Sequence, residues 1–450
     1  MKIKVGDIYS TILKPIDYSG LSVIREVCRA RPSGFMFMRK YKMGMWDGYI
    51  SLMGGFSKFP TGLLDRVVLA LKNRDIKVEY ADMGLQQVMN WHVDENMLDG
   101  ITLRDYQVDA TIKLLNAKRG VAKMATNSGK TEIIAAILKS LRKNAIIVVH
   151  RKELLYQTAE RLAYRTGLDV ARIGDGLEEK GNITVAMVQT LSQRNYDFSN
   201  TKNDIVIVDE CHHTSSDQMM NVLYKIPGEY RYGFSGTPLK DDVLSDLKLI
   251  SLTGEIVVDI SNKYLVDAGY SAKPRVNIIT MESVSVDEWE ASYQDAYDNL
   301  IVNNDARNGA ISRIANTSAG TVLILVERIE HGEILNRLIP KSVFVNGSFD
   351  SAYRQKILKK MKSGGVFIAT PIFDEGIDVP SISTLIIACG GNSSNKLLQR
   401  LGRGLRKKAY DNVVQVFDFL DDTNIYLFRH SEKRIDTLIE EGFEVVKHEI

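Results

Sequence analysis

The run Met124-Ala125-Thr126-Asn127-Ser128-Gly129-Lys130-Thr131 joins a short apolar stretch to an amphipathic one, TEIIAAILKSLRK. A loop between a strand and a helix turns backbone N–H groups and a helix N-terminus toward a bound anion, and polyphosphate is the anion this pattern suits. Lys130 supplies a point charge for β- and γ-phosphates, the Thr131 hydroxyl suits Mg²⁺, and Thr126, Asn127, Ser128 and Gly129 are expected to line the phosphates. The loop departs from the simple pattern in having Met124 at its first glycine position and Asn127 inside it.

A second element, Ile205-Val206-Ile207-Val208-Asp209-Glu210, ends an apolar run on two adjacent carboxylates. Phosphoryl transfer to water needs one carboxylate for the metal and one group to orient or deprotonate the water, roles that fit Asp209 and Glu210 respectively. Alone, such a pair reads equally well as the start of a helix. Cys211, His212 and His213 follow directly; they lack the spacing of a tetrahedral zinc site, and His212 is expected to act as a polar link out of the phosphate site.

These residues need strands to hold them. From about Gly120 the apolar runs VAKM, IIVV, ITVAM, IVIV and YGFS alternate with amphipathic stretches, and a second series, VLILV, VFV, VFIA, LIIA and VVQVF, begins at Val322. Runs apolar throughout are strands buried on both faces, as in parallel sheets covered by helices. The chain is therefore expected to be α/β, with two tandem parallel-sheet domains at 98–262 and 263–450. Residues 1–97 read as a small α+β domain. The segment from Lys263 to Ser318 reads as polar and helical, with an acidic stretch from Asp287 to Asp298.

Length and composition agree with this. The 450 residues are 44% hydrophobic and 25% charged with 9 prolines, which excludes a fibrous or disordered chain and gives two or three domains. MKIKVGDIYSTILK is not a signal peptide and no run of about 18 apolar residues occurs, so a cytoplasmic protein with no membrane contact is expected. Cys28, Cys211 and Cys389 are too scattered for a disulfide framework. The net charge of +2 announces no polyanion partner, but from Glu26 to Asp47 the chain carries Arg29, Arg31, Arg39, Lys40 and Lys42 with no acid between, interleaved with Phe35, Phe37 and Tyr41. Such a mixture either binds phosphates and stacks bases or is a solvated face.

Taken in order, these elements resemble superfamily 2 helicases. Asp209-Glu210-Cys211-His212 looks like the DExH form of that family's second motif, and Ser235-Gly236-Thr237 like the motif coupling hydrolysis to nucleic-acid binding. Gln399-Arg400-Leu401-Gly402-Arg403-Gly404-Leu405-Arg406 looks like the sixth, which implies that Arg403 and Arg406 act as arginine fingers and that Gln399 takes part in coupling. The resemblance implies two RecA-like domains and use of ATP and Mg²⁺. Leu103-Arg104-Asp105-Tyr106-Gln107 resembles the adenine-side motif, with Gln107 the base contact and Arg104 its helper, though an ordinary helix start is an open alternative. His150-Arg151-Lys152-Glu153-Leu154 and Gln189-Thr190-Leu191 match first-domain segments that hold the nucleic-acid backbone. Thr370 with Gly376-Ile377-Asp378 resembles the fifth motif, which touches strand and nucleotide.

Tyr41-Lys42-Met43-Gly44-Met45-Trp46-Asp47-Gly48 is similar to the Trp-Asp-Gly signature ahead of the core in phage UvsW-type recombination helicases. That resemblance implies an enzyme of replication, recombination and repair that remodels branched or forked DNA through sequence-tolerant backbone contacts, acting as a monomer, with Arg39, Lys40 and Lys42 on the DNA. Trp46 reads either as part of that surface or, preferably, as a core anchor. An RNA helicase shares the same core, a restriction-enzyme motor would carry a nuclease motif that is not seen, and an inactive scaffold would be expected to have lost one of Lys130, Asp209, Glu210, Arg403 or Arg406.

Overall fold

The computed structural model describes residues 1–81, 90–194, 196, 198, 203–214, 216–240, 242–281, 292–349, 351–370, 382–391 and 412–449. They form two compact units, one of residues 1–124 and 129–259, the other of 125–128 and 260–450. Among the described residues no helix is long and apolar enough to cross a membrane.

The first unit is built on an eight-stranded sheet in the order Leu177–Glu178, Val170–Gly174, Ile183–Met187, Ala145–Val149, Ile205–Asp209, Tyr230–Ser235, Arg119–Met124, Ile256–Ile260. The central strands run parallel, with Ile205 opposite both Ala145 and Tyr230. Ile146, Ile147, Val148, Val206, Ile207 and Val208 are buried, as continuous apolar runs require when helices cover both faces. The helix Lys130–Leu141 buries Ile133, Ile134 and Ile137. Three strands escaped the apolar pattern, the two-residue Leu177–Glu178 among them. Val170–Gly174 lies toward the sheet's edge and carries Arg172, whose guanidinium pairs with Glu179 at 2.6 Å, and Ile256–Ile260 forms the opposite edge.

Residues 2–80 form a four-stranded sheet, Lys58–Pro60, Tyr9–Ile12, Lys2–Lys4, Glu79–Tyr80, covered by helices Tyr18–Val27 and Leu64–Lys72. Asp17 caps the first helix by accepting from the N–H groups of Ser19 and Gly20. The core of this sheet is shared: Leu21, Ile24, Phe59, Leu63 and Leu71 pack with Leu244, Leu247 and Ile250 of the helix Val243–Thr253. Gly62 is what permits the approach, since a Cβ there would run into the carbonyl oxygens of Ile250 and Ser251. A Tyr9–Tyr224 ring stack at 5.3 Å, the Arg66–Glu255 ion pair and an Arg119 guanidinium donating to the Asp7 carbonyl at 2.9 Å complete the junction.

The second unit carries seven parallel strands in the order Val343–Val345, Gly365–Ala369, Thr321–Leu325, Thr384–Ile387, Val413–Leu420, Lys273–Thr280, Glu444–Glu449. Here the helical reading of Lys263 to Ser318 needs correction. Lys273–Thr280 is a strand between two neighbours, disguised by the exposed Lys273 and Arg275 at its start; Val276 and Ile278 are fully buried. The helix Asp305–Thr317 does occupy the end of that segment.

Candidate nucleotide site and its connections

Parallel strands bring the sequence-distant motifs to one edge of the first sheet, where α/β proteins build their sites. Across it come Gln189 and Thr190 after Ile183–Met187, Arg151 after Ala145–Val149, Asp209 and Glu210 ending Ile205–Asp209, Ser235 to Thr237 ending Tyr230–Ser235, and the phosphate loop after Arg119–Met124.

In that loop Asn127 (φ 67°) and Gly129 (φ 82°) adopt left-handed conformations, the alternation that curves successive N–H groups around an anion. Lys130 opens the following helix, and its Nζ lies 2.8 Å from Glu210 Oε1, reaching past the intervening Tyr230–Ser235 strand. Burial opposes the charge on Lys130, but the carboxylates of Glu210 and Asp209 outweigh it and raise its pKa. Burial likewise opposes ionisation of Glu210, yet Lys130 and His212 hold that carboxyl far below its ordinary value. Asp209 moves the other way, raised by burial and by the neighbouring Glu210 charge. Glu210 occupies the left-handed region (φ 50°), a strained backbone for a residue with a side chain, and its N–H donates to Asp209 Oδ1 at 3.0 Å.

From Glu210 a polar chain leads along the edge. The buried His212 places Nδ1 3.4 Å from Glu210 Oε2 and 3.0 Å from Ser235 Oγ, and the Thr237 N–H donates to the same Ser235 oxygen at 3.2 Å. Five residues on, Asp242 caps the helix Val243–Thr253 and also accepts from the hydroxyl and N–H of Ser33, in the N-terminal sheet's domain. Sequence reasoning missed Ser33 and Asp242, since no local motif marks either.

Gln107 is buried, takes the Arg104 N–H on its Oε1 at 2.9 Å and packs its amide nitrogen on Gly129. Capping the helix Asp105–Ala117 is what presses Gln107 against the loop at Gly129. The Arg104 guanidinium donates to the Tyr106 hydroxyl at 2.9 Å. Thr126 and Thr131 are half-buried, and Ser128 is buried. Gln189 Nε2 donates to the His150 carbonyl at 2.8 Å, fastening together the two strand-end loops that carry Arg151 and Thr190. In the second unit Thr370 ends the strand Gly365–Ala369, donating its N–H to the Val345 carbonyl. Gly376, Asp378, Gln399, Arg403 and Arg406 lie outside the described residues.

Arg39, Lys40 and Lys42 are exposed on one helical turn, Arg39–Lys42. Trp46 is not the core anchor expected of it; it is half-buried, and its indole N–H donates to the Tyr49 carbonyl at 2.8 Å across a turn. Cys211 is fully buried in the sheet's core, where burial pushes its thiol up.

Three family descriptions match successive stretches of the chain: the N-terminal domain of the DNA helicase UvsW at residues 2–82, the res subunit of type III restriction enzymes at 100–240, and the helicase conserved C-terminal domain at 306–408. A DNA 3'-5' translocase, XPB2 of Sulfurisphaera tokodaii, is 26% identical over 76% of this chain and 87% of its own length. The ATP-dependent DNA helicase uvsW of Enterobacteria phage T4 is 22% identical over 94% of both chains. The fold is shared with a fragment of a putative HsdR subunit of a type I restriction enzyme from Vibrio vulnificus, with a TM-score of 0.61 and 18% identity over 86% of this chain and 74% of that one. With the UvsW N-terminal domain followed by two RecA-like helicase domains, the chain is an ATP-dependent DNA helicase of superfamily 2, of the UvsW type.

Proposed function

We propose that this helicase is a translocase that remodels branched DNA, migrating junctions and regressing forks during replication, recombination and repair of a phage. What carries the reading is the connected set Lys130, Glu210, His212, Ser235 and Thr237: a hydrolytic site wired to a segment outside it is what a motor needs and a simple phosphatase does not. Support for a branched substrate is the N-terminal domain match, together with the exposed Arg39, Lys40 and Lys42.

Two carboxylates beside one ammonium make a hard-oxygen donor set with excess negative charge, which fits Mg²⁺. Asp209 and the Thr131 hydroxyl would hold the ion, which when bound neutralises β- and γ-phosphate oxygens. Lys130 exchanges Glu210 for the phosphates, and the released Glu210 orients the attacking water and accepts its proton. Thr126, Asn127, Ser128 and Gly129 cradle the phosphates and Gln107, helped by Arg104, reads the base. Gly376 and Asp378 join the nucleotide contacts, and Arg403 and Arg406 stabilise charge on the γ-phosphate, with Gln399 beside them in coupling. Arg151, Gln189, Thr190 and Thr370 hold the DNA backbone. We assign a substrate domain to 1–97 and RecA-like domains to 98–262 and 263–450, and a monomer working in the cytoplasm.

The test is ATP hydrolysis with Mg²⁺ on four-way and forked DNA against linear duplex, single-stranded DNA and single-stranded RNA. Strong stimulation by branched DNA with conversion of the junction is the expected outcome. Stimulation by RNA alone overturns it.

A further inference from the structure

The segment Gly34–Met45 has a construction that DNA backbone contacts alone do not explain. Its backbone is closed on itself: the N–H groups of Phe37, Met38, Lys42, Met43, Gly44 and Met45 all donate to carbonyls between Gly34 and Tyr41. Its root is equally fixed. The Arg31 guanidinium lies over the rings of Phe35 and Tyr49, at 4.6 and 4.4 Å, and donates to the Asp47 carbonyl, while Phe35 meets Tyr41 edge-on at 4.8 Å. Gly48 (φ 84°) lets the Trp46-Asp47-Gly48 turn pass beneath Phe35, since a Cβ there would come within 2.7 Å of that ring.

Such a braced nub has every means of tucking in its apolar side chains, yet Phe37 is 76% exposed and Met45 71%, with Met36 and Met43 each at 57%. Cations surround them: Arg39, Lys40 and Lys42 stand on the same nub, Lys42 Nζ is 5.8 Å from the Phe37 ring centre, and no acid occurs between Glu26 and Asp47. A protein partner fits an apolar patch whose rim mixes both charge signs. Apolar side chains interleaved along the nub with cations and with no acid fit a polyanion whose own faces are apolar, which describes unstacked bases flanked by phosphates. At its base the nub is held by Ser33 on Asp242, close in sequence after Ser235 and Thr237, so the same braced body reaches the loop at the edge of the nucleotide site.

We propose that Gly34–Met45 is a wedge: Phe37, aided by Met36 and Met45, stacks on bases at a DNA branch point and keeps them unpaired while Arg39, Lys40 and Lys42 hold the flanking phosphates. This rests on the branched-DNA reading and gives it a residue-level device. A rigid wedge turns translocation along the backbone into separation of strands at the junction, because a base that leaves its partner meets a ring instead of water.

The test uses the full-length protein and a synthetic four-way junction carrying 2-aminopurine either at the branch or within an arm. The wild type is expected to brighten the branch probe and not the arm probe. Phe37→Ala should lose most of that brightening and convert about tenfold less junction per ATP hydrolysed, with Phe37→Trp restoring both. Replacing Arg39, Lys40 and Lys42 together by alanine should instead weaken binding to all DNA and flatten its salt dependence by roughly one contact each. Full brightening and conversion by Phe37→Ala would overturn the wedge and leave the patch to a protein partner. A wild type that no DNA stimulates would overturn the branched-DNA reading itself, a different result.

Discussion

Each of the two large sheets carries a charged cluster near the ends of its strands, and the two clusters differ in balance and in burial. In the second unit Arg434 pairs with Asp418 at 2.9 Å and Arg307 with Asp421 at 3.1 Å, two cations against two carboxylates, and the guanidiniums also donate to the carbonyls of Phe419, Gly391 and Ala388. In the first unit one ammonium, Lys130, faces two carboxylates, Asp209 and Glu210, and Glu210 stands on a strained backbone. In the balanced cluster every charge meets an opposite one within the protein, although Arg307 Nη2 and Asp421 Oδ2 make no hydrogen bond. The unbalanced one leaves negative charge for a ligand to meet, and it is also the more open of the two: the Lys130 and Glu210 side chains are 18% and 19% exposed, whereas Arg307, Asp421, Arg434 and Asp418 are buried.

Breaking the balanced cluster should have the largest effect on stability. Arg434→Met leaves Asp418 buried without its partner, costing about 3 kcal/mol and lowering the melting temperature by roughly 10 °C. The double change Arg434→Met with Asp418→Leu should recover most of that, as exchange of a whole buried pair for apolar groups does. Calorimetry of the three proteins decides it; a double variant no more stable than Arg434→Met would show that the pair is not a self-contained unit.

The unbalanced cluster should answer in activity. Lys130→Ala is expected to lower ATP hydrolysis about 100-fold or more and to abolish the rise in melting temperature that Mg²⁺ and ATP give the wild type. Normal hydrolysis by that variant would remove Lys130 from the phosphate site.

A smaller effect, of opposite sign, sharpens the contrast. Asp209 has its pKa raised in the fold, so relative to the unfolded chain it favours folding below its ordinary value of 3.8, and that contribution is lost as pH rises through the raised value. Above that raised value the ligand-free protein carries the penalty. Asp209→Asn keeps an acceptor for the Glu210 N–H and should melt a few degrees higher than the wild type, by about 1 kcal/mol, while losing activity. The advantage should shrink as pH falls toward 4. Glu210, held low by Lys130, contributes stability above its ordinary value of 4.5 and loses it as pH falls, so Glu210→Gln should melt lower at pH 7.5. Equal shifts for both variants would contradict the imbalance.

Much of the unbalanced cluster was legible in sequence because its chemistry is local: Gly129, Lys130 and Thr131 are consecutive, and so are Asp209 and Glu210. The apolar runs around them likewise announced the central strands. The balanced cluster was not legible, since Arg307 and Asp421 are 114 positions apart and a lone arginine in a helix signals nothing. The Ser33–Asp242 contact spans 209 positions and joins two polar residues of common type. The strand Lys273–Thr280 was hidden by charges at its exposed end, and the shared core of the N-terminal sheet by the fact that Leu244, Leu247 and Ile250 read as any amphipathic helix. What sequence conceals is what only long-range pairing creates.

His212 is where the imbalance becomes useful. Its Nδ1 stands 3.4 Å from Glu210 Oε2 and 3.0 Å from Ser235 Oγ, so in the proposed mechanism, where Lys130 leaves Glu210 for a phosphate, the ring is the group that would pass the change of charge on Glu210 to Ser235. Ser235 in turn holds the Thr237 N–H, and five residues on Asp242 caps the helix Val243–Thr253. One hydrogen bond is worth about 1 kcal/mol, so His212→Ala should reduce the ratio of DNA-stimulated to unstimulated ATP hydrolysis about fivefold. His212→Gln, which retains a donor and an acceptor, should keep more of that ratio. Both rates measured on the same preparation make the decision. A fall in the ratio places His212 in the connection, whereas an equal fall in both rates would confine it to the hydrolytic site and leave Ser235 without its link to Glu210.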